Sequence, residues 1–318
     1  MSGTPSLFGP YVQERTFHEV CAEACGDARV AGRSVEGRAV HRFDVGPLDG
    51  VPVLLTGLMH GVEVIGSVAL LELVRRLRTE RSADAEFVRS CARVTVLPVV
   101  NPDSFAENMG RIAQGRLAYR RGNARGVDLN RNFPVVGALG EWHPFSGSRH
   151  PWSPHYMGPH PLSEPESRTV VAVAQEIAPA VAVGFHSFGD MLLYPWAHTR
   201  ARHPREAHYR ALGRAFSGAL RGAPYVVDQA TRLYPTLGDL DDWLDARFGA
   251  DAFTVEVSTL DRRLLHPLRA INPFCWMNPS HAHVVDETVD RLMPALMALL
   301  RASVEARFGR AGELAAAE

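Results

Sequence analysis

An α/β fold, a mixed and mostly parallel twisted sheet with helices on both faces, is predicted by three observations on the sequence. Short apolar runs alternate with segments whose apolar residues recur at helical spacing along most of the chain. The histidines and acids with chemical potential fall at or just after those runs, where open α/β sheets gather ligands at their carboxyl edges. The 318 residues, 46% hydrophobic and 22% charged, suffice to bury a full core. No internal repeat or low-complexity linker interrupts them, so one domain over residues 10–310 is expected, with short tails at 1–9 and 311–318.

Taken in order, the run VPVLLTGL from Val51 to Leu58 reads as a buried strand that leads straight into His60. After Glu63, Val64, Val68, Leu71, Val74 and Leu77 recur at helical spacing, and Arg75, Arg76 and Arg78 suit the last turn of that helix. Val94 to Val100 is the next strand, closed by the turn signal Asn101-Pro102-Asp103. Ser163 with Glu166 forms a capping box, predicting a helix from there to near Pro179. Ala180 to Phe185 is a strand ending at His186, and Phe253 to Val257 is another carrying Glu256. The last helix is expected over Asp286 to Phe308, with Pro294 in its first turns or kinking it.

Composition excludes several classes. A formal net charge of −1 gives no electrostatic reason to expect nucleic acid or an anionic membrane as partner. Every basic residue is Arg and none is Lys, so a single Arg carries less information than usual. Four cysteines without a C-x-x-C pair read as ordinary thiols. The first residues lack a basic segment followed by an apolar one, and no stretch reaches the roughly 18 apolar residues of a membrane span. A cytoplasmic location is therefore expected, and the oligomeric state is left open.

The chemistry begins at His60-Gly-Val-Glu63, read with His186. His-x-x-Glu by itself is a common accident in a chain with 14 histidines. Here both candidate ligands follow an apolar strand directly, and His186 does the same. Two imidazoles and one carboxylate suit zinc in a site with three protein ligands and one open position. The HExxH alternative is absent, since Ala22 stands where His18-Glu19 would need a second His. In the run GVDLNRNF from Gly126 to Phe133, Asn130 and Arg131 can offer an amide and a guanidinium to one carboxylate, or simply form a polar turn.

Together these residues resemble the zinc carboxypeptidases of the carboxypeptidase A type. The resemblance runs in order along nearly the whole chain: GRSVEGR from Gly32, HGVE, NPDSF from Asn101, GVDLNRNF, YMGPHPLSEPE from Tyr156, HSF with LLYPW from His186, and TVEV around Glu256. It implies a zinc carboxypeptidase-like fold and a single zinc ion held by His60, Glu63 and His186. Glu256 would be the general base, Arg120 the cation that polarises the scissile carbonyl, Asn130 and Arg131 the clamp on the terminal carboxylate, and Tyr234 the residue that closes over the substrate.

The same ungapped spacing from Tyr234 places Asp241 at the base of the pocket for the last side chain. A carboxylate there favours C-terminal Arg or Lys, or a mixed preference; equally, Gly238 to Asp242 reads as an acidic helix start. The implied substrate is a peptide with a free C-terminal carboxylate. Val62 replaces the Arg often found inside the family's HxxE, and no leader is visible, so a digestive role is not expected. The HG-x-E form also occurs in related amidases and deacylases acting on murein peptides or N-acyl amino acids, which are the alternative. His143, His150, His155 and His160, in the Pro-rich stretch from Val135 to Pro161, read as shaping the rim of the cleft.

Overall fold

The computed structural model describes residues 10–12, 14–138, 140–260 and 270–315. Among them the chain runs α1 (Glu14–Cys25), β1 (Arg29–Arg33), β2 (Ala39–Val45), β3 (Val51–Gly57), α2 (Val64–Thr79), α3 (Ala83–Cys91), β4 (Ala92–Leu97) and α4 (Pro102–Ala113). It continues through α5 (Pro165–Ile177), β5 (Val181–His186), β6 (Met191–Tyr194), α6 (Glu206–Ala219), β7 (Val226–Gln229), α7 (Leu240–Phe248), β8 (Asp251–Glu256), α8 (Pro273–Met277) and α9 (Ala282–Ala315).

The strands form one sheet in the order β1-β2-β4-β3-β5-β8-β6-β7. The central strands β4, β3, β5 and β8 are parallel, whereas β2 and β6 join antiparallel on either side. This is the mixed, mostly parallel sheet expected from the sequence. Every residue of β5 is buried, as a strand covered on both faces requires. On one face Leu70, Leu73 and Val74 of α2 pack with Leu292, Leu296 and Leu299 of α9. On the other, Val170, Ala174 and Ile177 of α5 pack with Leu240 and Leu244 of α7.

Three local expectations shift. The strand expected to reach Val100 ends at Leu97, because Asn101 caps α4 by accepting a hydrogen bond from Ser104 N. Helix α5 opens at Pro165 with Glu164 as its N-cap residue, so Ser163 and Glu166 do not form a capping box. Pro165 fixes the start, since a first-turn proline has the right φ and needs no amide partner. The Ser163 hydroxyl instead donates to Glu164, and Glu166 accepts from Val35 N and Asn123. The last helix starts earlier than expected and continues past Phe308, with Pro294 inside it.

A buried polar network ties the helices to the strands that carry the site. Asp245 of α7 accepts from His203 at 3.0 Å and Tyr209 at 2.9 Å, and also pairs with Arg205. Asp251, at the start of β8, pairs with Arg205 at 2.6 Å and Arg307 at 2.8 Å. Burial alone would raise both carboxyls, but His203 and Arg205 at Asp245, and His208, Arg307 and Arg205 at Asp251, outweigh it and hold them below the usual carboxylate range. Among the described residues no helix is long and apolar enough to cross a membrane, and all four cysteines are free.

Candidate active site

Three neighbouring parallel strands deliver the central residues. In the register of the sheet Gly57 of β3 lies opposite Phe185 of β5, and His186 of β5 lies opposite Glu256 of β8. The carboxyl ends of β3, β5 and β8 therefore converge on one edge, where open α/β sheets bind ligands. Leu58 adopts a positive φ of 46° just beyond β3, turning the chain into His60-Gly61-Val62-Glu63, closed by Glu63 N donating to His60 O at 3.1 Å. Gly61 is required there, because a Cβ would lie 2.7 Å from Phe105 N and 2.4 Å from Ser104 Cβ. Glu63 occupies the N-cap position of α2 yet makes no cap bond, since its carboxylate faces the histidines. Asn278 caps the helix in its place, accepting from Ile65 N at 2.9 Å and donating to Val62 O at 2.7 Å.

Glu63 Oε1 lies 2.9 Å from His60 Nδ1, Glu63 Oε2 lies 2.9 Å from His186 Nδ1, and the two Nδ1 atoms are 3.2 Å apart. All three residues are buried. Among the described residues this is the one cluster of such side chains able to hold a metal ion, its ligand atoms lying within 4.8 Å of one another. Its hydrogen-bond chemistry fits a cation. His60 stands between two carboxylates, Glu63 at Nδ1 and Asp128 at Nε2, the latter at 3.0 Å. A neutral imidazole donates to only one of them. Donation to Asp128 leaves the Nδ1 lone pair aimed at Glu63 and His186, three acceptors around one point that a metal ion reconciles. The histidines also hold the Glu63 carboxyl far below its ordinary range, against the opposing effect of its burial.

Around this triad lies a cavity of about 400 Å3 lined by Arg121, Asn130, Arg131, Tyr234, Asp241 and Glu256 among others. Burial, reinforced by Glu63, pushes the Glu256 carboxyl above the usual carboxylate range, while His186, Arg121 and Arg131 pull against it. Asn130 follows Asp128 in a short 3-10 turn over Leu129–Arg131, which Asp128 caps by accepting from Asn130 N at 3.1 Å. Its Oδ1 accepts from Leu240 N at 3.0 Å, so the amide is oriented with its NH2 group available to a ligand. The Arg131 guanidinium is held by the carbonyls of Phe145, at 3.1 and 3.2 Å, and Asn130, at 2.7 Å. Tyr234 stacks on His143 with centroids 5.3 Å apart and meets the edge of Phe145 at 5.4 Å.

Arg121, and not Arg120, is the arginine placed beside the triad, one residue from the expected position. Arg121 Nη1 donates to Glu63 at 3.1 Å and Nε to Asp128 at 3.1 Å. Burial disfavours its charge, but Asp128 and Glu63 outweigh burial and keep it cationic. Arg120 faces the other way and donates to the carbonyls of Ala124, at 2.7 Å, and Asn123, at 3.4 Å. Tyr119 and Arg121 line the cavity, and Arg120 between them does not.

Two further residues were absent from the sequence reading. Asp128 bridges His60, Arg121 and Asn130 N, and its only signal was its place two residues before Asn130. Asn278 acts from a remote segment and had no sequence signal. Of the Pro-rich stretch, His143 stacks on Tyr234, while His155 is buried with Nδ1 3.4 Å from Asp128.

The family model for zinc carboxypeptidases matches residues 22–278. A metallocarboxypeptidase A of Trichophyton tonsurans is 30% identical over 231 residues, 67% of this chain and 54% of that protein. A carboxypeptidase B of Astacus astacus is 28% identical over 240 residues, 71% and 77% of the two chains. The chain thus spans about half the length of the first of these relatives. Among solved structures, carboxypeptidase A from Helicoverpa armigera superposes with a TM-score of 0.75 at 19% identity, covering 96% of this chain and 77% of that one. Together with the order of motifs along the sequence, the match over residues 22–278 establishes that the chain belongs to the zinc carboxypeptidase family.

Proposed function

We propose that this protein is a zinc-dependent exopeptidase that removes the C-terminal residue of peptides, with one ion held by His60, Glu63 and His186 and a catalytic unit over residues 10–310. The observation that carries the reading is the convergence on one cavity of the His-Glu-His triad, a carboxyl raised by burial, a buried cation and an amide–guanidinium pair. The chemistry that zinc supplies when bound is Lewis acidity, which polarises a carbonyl and makes water a usable nucleophile near neutral pH.

The side chains do the rest. Asp128 fixes His60 with its Nε2–H outward and its Nδ1 lone pair inward. Glu256 removes a proton from the attacking water and delivers it to the leaving amine, a role its raised pKa suits. Arg121, anchored by Asp128, offers its remaining N–H groups to the oxygen on which negative charge develops. Asn130, Arg131 and Tyr234 hold the terminal carboxylate, and that restraint selects the last peptide bond. Asp241, facing the same cavity, gives the pocket for the terminal side chain an acidic base suited to Arg or Lys.

Metal removal tests the reading. Dialysis against a chelator should abolish release of the terminal residue from a blocked dipeptide, and zinc should restore it as about one equivalent binds per chain. Full activity in protein shown to be metal-free would refute it.

A further inference from the structure

One turn of the Pro-rich stretch touches both Arg131 and Tyr234. His143 to Ser146 closes on itself: Ser146 N donates to His143 O at 3.0 Å, His143 N to Ser146 Oγ at 3.1 Å, and Phe145 N to His143 Nδ1 at 3.2 Å. Leu237 N, donating to Ser146 O at 2.9 Å, ties the turn to the segment that follows Tyr234. Because His143 Nδ1 accepts from a backbone N–H, the main chain sets the plane of the imidazole.

That plane lies 9° from the Tyr234 ring, with centroids 5.3 Å apart. Phe145 meets the same ring at 79° and 5.4 Å, and the His143 and Phe145 rings stand at 76° to each other. Two nearly perpendicular neighbours therefore hold Tyr234, and it cannot tilt or slide without losing one contact. The carbonyl of Phe145 accepts from Nε and Nη2 of Arg131, whose Cζ stands 6.0 Å from the centroid of the Tyr234 ring.

Resting on the exopeptidase reading above, we propose that His143 and Phe145 are positioning residues that fix the Tyr234 ring beside Arg131, so that its hydroxyl meets the terminal carboxylate. His143 does not line the cavity, whereas Tyr234 does, so what His143 does for a substrate it does through Tyr234. Rings that merely covered the rim would matter equally to every substrate. Rings that aim Tyr234 matter where a free carboxylate is bound.

The test is kcat/KM of the zinc-loaded protein for benzoyl-Gly-Arg and for its C-terminal amide, in a double-mutant cycle between His143 and Tyr234. His143→Ala should lower the value for the acid by about three- to tenfold, the worth of one aromatic pair, mostly through KM. The value for the amide should stay within about twofold. Phe145→Ala keeps the carbonyl that holds Arg131 and should act in the same way; the side chain is 45% exposed, so its loss leaves the core closed. His143→Phe should recover most of the loss, because a ring able to stack returns. In a Tyr234→Ala background, His143→Ala should cost less than about twofold more.

Equal losses on acid and amide would overturn the proposal while leaving the exopeptidase reading intact. So would undiminished turnover of the acid by both single variants, or a His143→Ala loss that persists in full without Tyr234. Cleavage of neither substrate by the unsubstituted protein would overturn that reading and the proposal with it.

Discussion

Glu256→Gln should lower kcat by roughly a thousandfold while leaving zinc content unchanged and KM within about threefold. The substitution keeps the shape of the side chain and removes its ability to take a proton. Glu256 is not among the cluster of ligating atoms, so the metal centre should load normally. Because the residue ends β8 opposite His186, its position is set by the sheet register and should not relax when the charge is removed. Steady-state kinetics beside metal analysis of the same preparation checks the expectation. Retained turnover would assign the proton transfer to another group.

The second large effect separates two adjacent residues. Arg121→Ala should reduce kcat/KM by about 10^2 to 10^3, the cost of removing a preorganised donor to a developing oxyanion. Arg120→Ala should change it by less than about twofold, since that side chain bonds only local carbonyls and a neighbouring surface acid at 3.6 Å. Truncating Arg121 also removes the guanidinium paired with Asp128 and Glu63, so part of the loss belongs to the distorted triad. Free guanidinium added to Arg121→Ala should recover part of kcat. The reverse pattern, with Arg120→Ala the damaging change, would restore the original expectation from sequence.

This pair marks the boundary of what the sequence made legible. The strands ending near His60, His186 and Glu256 were readable because buried parallel strands are continuous apolar runs, and their edges place the chemistry. Between Arg116 and Arg125 no apolar period exists to say which residues face inward, so two consecutive arginines are indistinguishable from the sequence alone. The start of α5 departs from the local pattern for a different reason. Ser163 and Glu166 have the spacing of a capping box, but Pro165 between them is a stronger local determinant, and both side chains take tertiary partners, Asn132 donating to Ser163 and Asn123 to Glu166. Asn278 lay beyond any local pattern, because the cap it supplies to α2 is made across the fold.

The clamp is what distinguishes this reading from an amidase or deacylase using the same metal centre. In the proposed reading Asn130, with its NH2 group oriented by Leu240 N, and Arg131, held by the Phe145 carbonyl, would address a free carboxylate. The most direct test is therefore to offer the zinc-loaded protein one blocked peptide in two forms, C-terminal acid and C-terminal amide, and follow the products by mass spectrometry. The acid should lose its last residue, and the amide should react slower by roughly a hundredfold or more. Equal cleavage of the two forms, or cleavage confined to an N-acyl or internal bond, would contradict the assignment.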